Sequence, residues 1–156
     1  SKILVSVQVM DHKGNIKAIQ ASDIKFHYRG SNLNNNLIFV SATFKGNKDE
    51  KSKIEKKTNE LIKKKKDTQP SSIKTCGSTF KNPENKKAWE LIKKSGCVGM
   101  EIGGAKISEK HCNFFVNTGD AKSKDLEQLI KHVHNKVLNE TGINLELEIQ
   151  IIGKNL

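Results

Sequence analysis

The sequence predicts a mixed α+β fold, and three observations carry that expectation. Residues 123–139 place Leu126, Leu129, Ile130, Val133, Val137 and Leu138 at helical spacing, the clearest amphipathic signal in the chain. Near the start, Ile3, Val5, Val7 and Val9 alternate with Lys2, Ser6 and Gln8, the period-2 pattern of a half-buried strand. Helical and strand-like segments then follow one another without an internal repeat, in a chain of 156 residues with 35% hydrophobic content. A chain of this length hides roughly 70% of its unfolded surface, enough for an ordinary core.

Taken in order, the front of the chain is strand-rich. After the strand at 3–10, His12-Lys13-Gly14-Asn15 supplies a turn and residues 16–20 a return strand. Asn32 to Asn36 form a polar loop, Leu37-Ile38-Phe39-Val40 and Ala42-Thr43-Phe44 a further strand, and Gly46-Asn47 a break. A helix is expected over 49–66, opened by Asn47 and Glu50 at capping-box spacing. Its apolar stripe, Ile54, Leu61 and Ile62, is thin, so it should pack by an edge and leave the rest in water. Gln69-Pro70-Ser71-Ser72 ends it. Asn82-Pro83 reads as an N-cap with proline at the first helical position, and Ala88, Leu91 and Ile92 line one face of the helix that Gly96 stops. Short strands follow at 98–102, 106–107 and 113–116, the first two separated by a Gly103-Gly104 turn. Gly142 closes the long helix, and residues 144–152 read as a last strand, Leu145, Leu147, Ile149 and Ile151 alternating with Glu146, Glu148 and Gln150. Two carboxylates on one strand face mean either a solvated edge or a lined cleft. The breaks divide the chain into 1–46, a connecting helix at 47–69, and a compact region at 70–156.

No apolar run is long enough to span a membrane, and no signal-peptide pattern opens the chain. Cys76, Cys97 and Cys112 lack CxxC spacing, which argues against a disulfide framework or a zinc site and fits buried, inert thiols in a reducing cytoplasm. His111 and Cys112 are adjacent and, on a strand, would point to opposite faces, so no metal site is expected. The formal net charge of +11 makes a lysine-rich RNA- or polyanion-binding module the alternative reading. Against it, the lysines crowd onto residues 48–66, aromatic content is 5%, and no RNP-like, zinc-finger or basic-zipper pattern is present. A basic surface equally suits a small polyanion such as a nucleotide sugar.

Arg29 is the only arginine among 28 basic residues. Its rigid fork holds a carboxylate through two parallel hydrogen bonds, which lysine cannot do. It stands in Phe26-His27-Tyr28-Arg29-Gly30-Ser31, between two strand-like stretches. A functional group and an ordinary surface residue are both compatible with that setting.

Four segments in a fixed order sharpen the picture: Tyr28-Arg29-Gly30-Ser31, Gly77-Ser78-Thr79-Phe80-Lys81-Asn82-Pro83, the run from Gly103-Gly104-Ala105-Lys106-Ile107-Ser108-Glu109-Lys110-His111 to Phe114, and Leu145-Glu146-Leu147-Glu148-Ile149. Together they resemble the UDP-N-acetylenolpyruvoylglucosamine reductase (UDP-N-acetylmuramate dehydrogenase) family, over essentially the whole chain. The resemblance implies the tail of a flavin-binding region at 1–46, the connecting helix, and a substrate-binding domain at 70–156. Nothing here resembles the family's glycine-rich FAD loops, so the chain reads as the C-terminal portion of a longer protein, inactive by itself, with its cofactor-binding residues unknown.

The implied activity is a cytoplasmic oxidoreductase of peptidoglycan synthesis, and through it of cell-wall biogenesis, cell shape and division. It uses NADPH and FAD to convert UDP-N-acetylglucosamine enolpyruvate to UDP-N-acetylmuramate, as a monomer without nucleic-acid or membrane partners. By the same resemblance Ser78 matches the proton donor, Arg29 the arginine beside the substrate carboxylate, and Glu148 the catalytic glutamate, with Glu146 as its solvated neighbour. A serine hydroxyl is a poor acid in water, and the Lys81 charge is a candidate helper. Asn82, Lys66 and His111 match substrate-holding positions. For Asn82 a helix N-cap is compatible with that role, since an exposed helix start is also an anion site, and Lys66 ends a four-lysine run in which the register can slip. A tyrosine loop used by one branch of the family has no counterpart, which places this chain in the shorter-loop branch.

Overall fold

The computed structural model describes residues 2–153, which divide into two compact units that meet in sequence between Ile54 and Glu55. In the first, β1 (Leu4–Met10) is the centre of a three-stranded antiparallel sheet, between β2 (Ile16–Gln20) and β5 (Ile38–Phe44). The β1–β2 turn is the expected one. Asp11 Oδ1 accepts the amides of Lys13 and Asn15 at 2.8 and 2.9 Å, and the Asn15 side-chain bond leads the contacts that lower the Asp11 pKa. Only Val7, Val9 and Ile24 are buried here, and every residue of β5 is exposed. A two-residue ladder, β3 (Phe26–His27) with β4 (Gly30–Ser31), has Tyr28 and Arg29 at its tip.

Helix α1 (Lys51–Thr68) starts later than its sequence signature. Its first bond runs from Ile54 N to Glu50 O, so the Asn47/Glu50 pair precedes the helix instead of capping it. No residue of α1 is buried, so the edge packing expected of Ile54, Leu61 and Ile62 is absent. Too few apolar side chains line up to bury one face.

The second unit is a four-stranded antiparallel sheet, β6 (Lys74–Ser78), β9 (Phe114–Asn117), β8 (Ala105–Ile107) and β7 (Glu101–Ile102) in that spatial order. Helices α2 (Ala88–Lys94) and α3 (Ser123–Thr141) share its core: Ile92, Leu129, Val133 and Val137 meet Ala105, Ile107, Phe115, Phe80 and Leu145. The Gly103-Gly104 turn is tight for a packing reason. A Cβ on Gly103 would strike the Asp125 carboxylate, and one on Gly104 the Ala121 backbone, so the hairpin lies directly against the start of α3. Asp125 in turn accepts the Lys122 amide at 2.9 Å, and Gly142, at φ +68, ends the helix with its amide on Leu138 O.

Three sequence expectations change in this unit. Asn82-Pro83 does not begin a helix: a turn follows, Asn85 takes a left-handed φ of +57, and α2 starts at Ala88. The strand expected from Val98 shrinks to Glu101–Ile102, because residues 97–100 turn, with Gly99 at φ +70. Residues 144–152 make no strand. A single bridge pairs Leu147 with Phe80, Leu145 is buried, and Leu147 is exposed, so the alternation does not mark one continuous face. No helix among the described residues is long and apolar enough to cross a membrane.

Candidate functional site

Ser78 lies at the end of β6, just past a register irregularity between Thr75 and Ser78 where Gly77 adopts φ +86. That φ favours glycine, and the shifted register turns the strand end. Ser78 pairs in register with Phe114, is half-buried, and its hydroxyl has no hydrogen-bond partner among the described residues. The chain then crosses to the C-terminal segment through two backbone bonds, Lys81 N to Glu146 O at 2.8 Å and Glu148 N to Thr79 O at 2.9 Å. These flank the Phe80–Leu147 bridge and set Glu148 opposite Thr79, one residue from Ser78. Ser78 and Glu148, both half-buried, therefore lie one register position apart in the unit.

Glu146 differs from Glu148 in its surroundings. It is exposed and forms an ion pair with Lys81 at 3.3 Å. The Lys81 charge expected to assist Ser78 is thus directed to Glu146, in a solvated pair worth at most about 1 kcal/mol.

Asn113 organises this part of the unit, and sequence reasoning took it only as a strand start. It is 4% exposed and makes four bonds: its carbonyl accepts Thr79 N at 2.8 Å, its Oδ1 accepts Phe80 N at 3.0 Å, its Nδ2 donates to Phe80 O at 2.8 Å, and its amide donates to His111 Nδ1 at 3.3 Å. The available signal was a lone amide heading the apolar run Phe114-Phe115-Val116. A polar side chain buried in such a run must be hydrogen-bonded.

Asn82 keeps a capping role at a distance: its Oδ1 accepts the Ala88 amide at 3.0 Å, six residues on, at the first residue of α2. His111 sits in a turn, so the opposite-faces argument for His111 and Cys112 does not apply; Cys112 is buried and the His111 ring packs edge-on against Phe114 at 4.7 Å. Burial lowers the His111 pKa, keeping the imidazole neutral near neutral pH. Lys66 lies in the last turn of α1, and its carbonyl accepts a bond from the Lys110 ammonium, tying the helix end to the loop that carries His111. Cys76, expected to be buried, is exposed on β6, while Cys97 and Cys112 are buried as expected.

Ser78, Glu148, Asn82 and His111 are thus assembled within the second unit. Arg29 belongs to the first, at the tip of the β3–β4 turn with φ +59 and its guanidinium 5.3 Å from the Tyr28 ring centre. A flavin pyrophosphate is typically held by glycine-lined amides at a helix start. The glycines of the first unit do not fit that demand: Gly14 and Gly46 face open space, Gly30 abuts His27, and none begins a helix. Among the described residues no group of three or more His, Cys, Asp or Glu could hold a metal ion.

Known proteins resemble this chain over almost its whole length. The sequence model for "UDP-N-acetylenolpyruvoylglucosamine reductase, C-terminal domain" matches residues 69–152. The chain is 47% identical over 152 residues to the UDP-N-acetylenolpyruvoylglucosamine reductase of Rickettsia akari, and 48% identical over 153 residues to that of Pelagibacter ubique. These matches cover 97% and 96% of this chain but 52% and 51% of the relatives, so the chain spans about half their length. The crystal structure of the reductase from Thermus caldophilus superposes with a TM-score of 0.81 at 32% identity, over 95% of this chain and 52% of that one. Nothing in the fold or these relatives supports a nucleic-acid-binding module. The chain belongs to the UDP-N-acetylenolpyruvoylglucosamine reductase family.

Proposed function

We propose that the chain is the substrate-binding part of a cytoplasmic, monomeric reductase that converts UDP-N-acetylglucosamine enolpyruvate to UDP-N-acetylmuramate in peptidoglycan synthesis. The observation that supports this reading is the Phe80–Leu147 bridge, which brings Glu148 opposite Thr79, the residue after Ser78. Reducing the enolpyruvyl double bond requires a hydride at one carbon and a proton at the other. FAD and NADPH are the proposed source of the hydride, and because the described residues do not form a flavin cradle, that cradle is assigned to the part of the relatives' length that has no counterpart here.

This chain's share is the proton and the charge. Ser78 delivers the proton to the carbon next to the substrate carboxylate, and Glu148 holds or relays a proton at the same enolate. Arg29 is assigned, by the family resemblance, to that carboxylate, where negative charge grows as the double bond is reduced, so a fixed cation there favours the transition state over the ground state. Asn82, His111 and Lys66 hold the nucleotide sugar. The regions 1–46, 47–69 and 70–156 then serve as flavin-side tail, connector and substrate domain.

The test supplies the flavin-binding half of a relative, fused ahead of this chain, and follows NADPH oxidation with the enolpyruvyl sugar nucleotide. Turnover is expected. In the Ser78→Ala variant, NADPH should still reduce the flavin while reduction of the double bond falls by about two to four orders of magnitude. Equal loss of both half-reactions would refute the proton-donor role, and a fusion that binds flavin and substrate without turnover would refute the reading as a whole.

A further inference from the structure

Successive side chains of a strand alternate between faces, so Thr75 and Ser78, at an odd separation, would ordinarily project to opposite sides of the sheet. Here they do not. Thr75 pairs with Val116 and Ser78 with Phe114, two positions of β9 that share a face. Between those pairs β6 takes up one more residue than β9, and Gly77 at φ +86 absorbs the extra length. Phe115, on the other face of β9, belongs to the core shared with α2 and α3, and Phe114 does not. In unbroken register Ser78 would fall opposite Asn113 and on the face of Phe115, against the helices. The bulge is what puts the Ser78 side chain on the face away from them.

Thr75 closes that bulge with its side chain. Its hydroxyl donates to Phe115 O at 2.7 Å, across the sheet, and accepts the Gly77 amide at 3.2 Å, from two residues on in its own strand. The two bonds join the strand opposite the irregularity to the glycine that carries the left-handed turn. Phe115 is buried, so its carbonyl has little water to turn to. A bulge interrupts the ladder locally, and here a side-chain hydroxyl supplies what the ladder does not.

We propose that Thr75 is a positioning residue for the reduction: its hydroxyl holds the bulge that presents Ser78, and it acts on the chemistry only through Ser78. This rests on the proton-donor role proposed for Ser78 and adds the device that aims it. A general acid must stand within hydrogen-bond reach of the atom it protonates, and a misplacement of about 1 Å costs about hundredfold in rate. Transfer to the opposite face of the sheet is a far larger displacement. Valine has nearly the shape of threonine but neither donates to Phe115 O nor accepts from Gly77 N. Serine keeps both bonds.

Position and turnover are measured separately. Cys97 and Cys112 are buried and Cys76 is exposed, so the chain carrying Cys76→Ser and Ser78→Cys holds a single accessible reporter thiol, at position 78. Iodoacetamide should label it readily. Adding Thr75→Val should abolish the rapid labelling, and adding Thr75→Ser should not. Labelling of Cys97 and Cys112 as well would report unfolding, and Thr75→Ala, which removes the same hydroxyl with less bulk, then takes the place of the valine variant. In the fused reductase, with Cys76 and Ser78 intact, Thr75→Val should lower kcat about hundredfold with KM little changed. NADPH should still reduce its flavin as in the parent, and Thr75→Ser should retain most turnover. Undiminished labelling in Thr75→Val, or turnover equal to the parent's, would overturn this inference and leave Ser78 as proton donor. A fusion without turnover whose labelling still responds to Thr75 would overturn the proton-donor reading instead, with the bulge still held by Thr75.

Discussion

Arg29 holds a backbone conformation that costs a residue bearing a side chain about 1–2 kcal/mol, at the second position of a two-residue turn where glycine would sit without strain. Glycine relieves that strain but loosens the unfolded chain by a similar amount, about 0.4–1 kcal/mol. Arg29→Gly should therefore leave stability within about 1 kcal/mol of the parent, while turnover of the fused reductase collapses. Arg29→Lys should also fold normally yet lose more turnover than charge alone explains, because an ammonium cannot bind a carboxylate with two parallel bonds. Denaturant midpoints and NADPH oxidation read the two effects separately. A large stability loss in Arg29→Gly, or near-normal turnover in Arg29→Lys, would make the arginine a structural residue. At this scale the sequence showed the oddity of a lone arginine, but not the left-handed turn that presents it. That φ arises from closing a two-residue ladder around Tyr28 and Arg29, which no local pattern announces.

Among the elements, the join between β6, β9 and the C-terminal segment matters most to the site, and Asn113 is its pin. Asn113→Leu should leave both the amide and the carbonyl of Phe80, a residue 1% exposed, without their side-chain partner. Each orphaned buried group costs about 1–3 kcal/mol, so the expected loss is about 2–4 kcal/mol in chemical denaturation. Asn113→Asp, which still accepts but no longer donates to Phe80 O, should fall between the two. A loss under about 1 kcal/mol in the leucine variant would show that water replaces the amide.

The long helix was legible because its signal is local and repeated, with buried Leu129, Ile130, Val133 and Val137 on one stripe. Strand β6 was not, since Lys74-Thr75-Cys76-Gly77-Ser78 carries no apolar alternation and is extended only because β9 pairs with it. The reverse error occurs at 144–152. There the alternation is present, but the partner stretch ends at the Asn82-Pro83 loop, which leaves room for one bridge.

The two units of the molecule differ in the core each can draw on. Fourteen buried residues form the core of the second unit and three that of the first. With roughly 1.5–3 kcal/mol for each large apolar side chain buried, the second unit has much the deeper well. Backbone amides of β1, β2 and β5 should then exchange with solvent faster than those of β8, β9 and α3, by several orders of magnitude, as read by hydrogen exchange. Uniform protection across both units would show that they unfold as one.

By itself the sequence determined the mixed α+β class, most helices and turns, and the family-like order of Arg29, Ser78 and Glu148. These are properties of short-range periodicity and of motifs read along the chain. Tertiary structure alone decided that Glu148 stands opposite Thr79, the residue after Ser78, while Glu146 is tied to Lys81, that Asn113 joins these segments, and that Thr75 braces the bulge before Ser78. The physical reason is the same in each case: these relations join residues tens of positions apart through hydrogen bonds and an ion pair, and nothing within one segment encodes which distant segment will complete it.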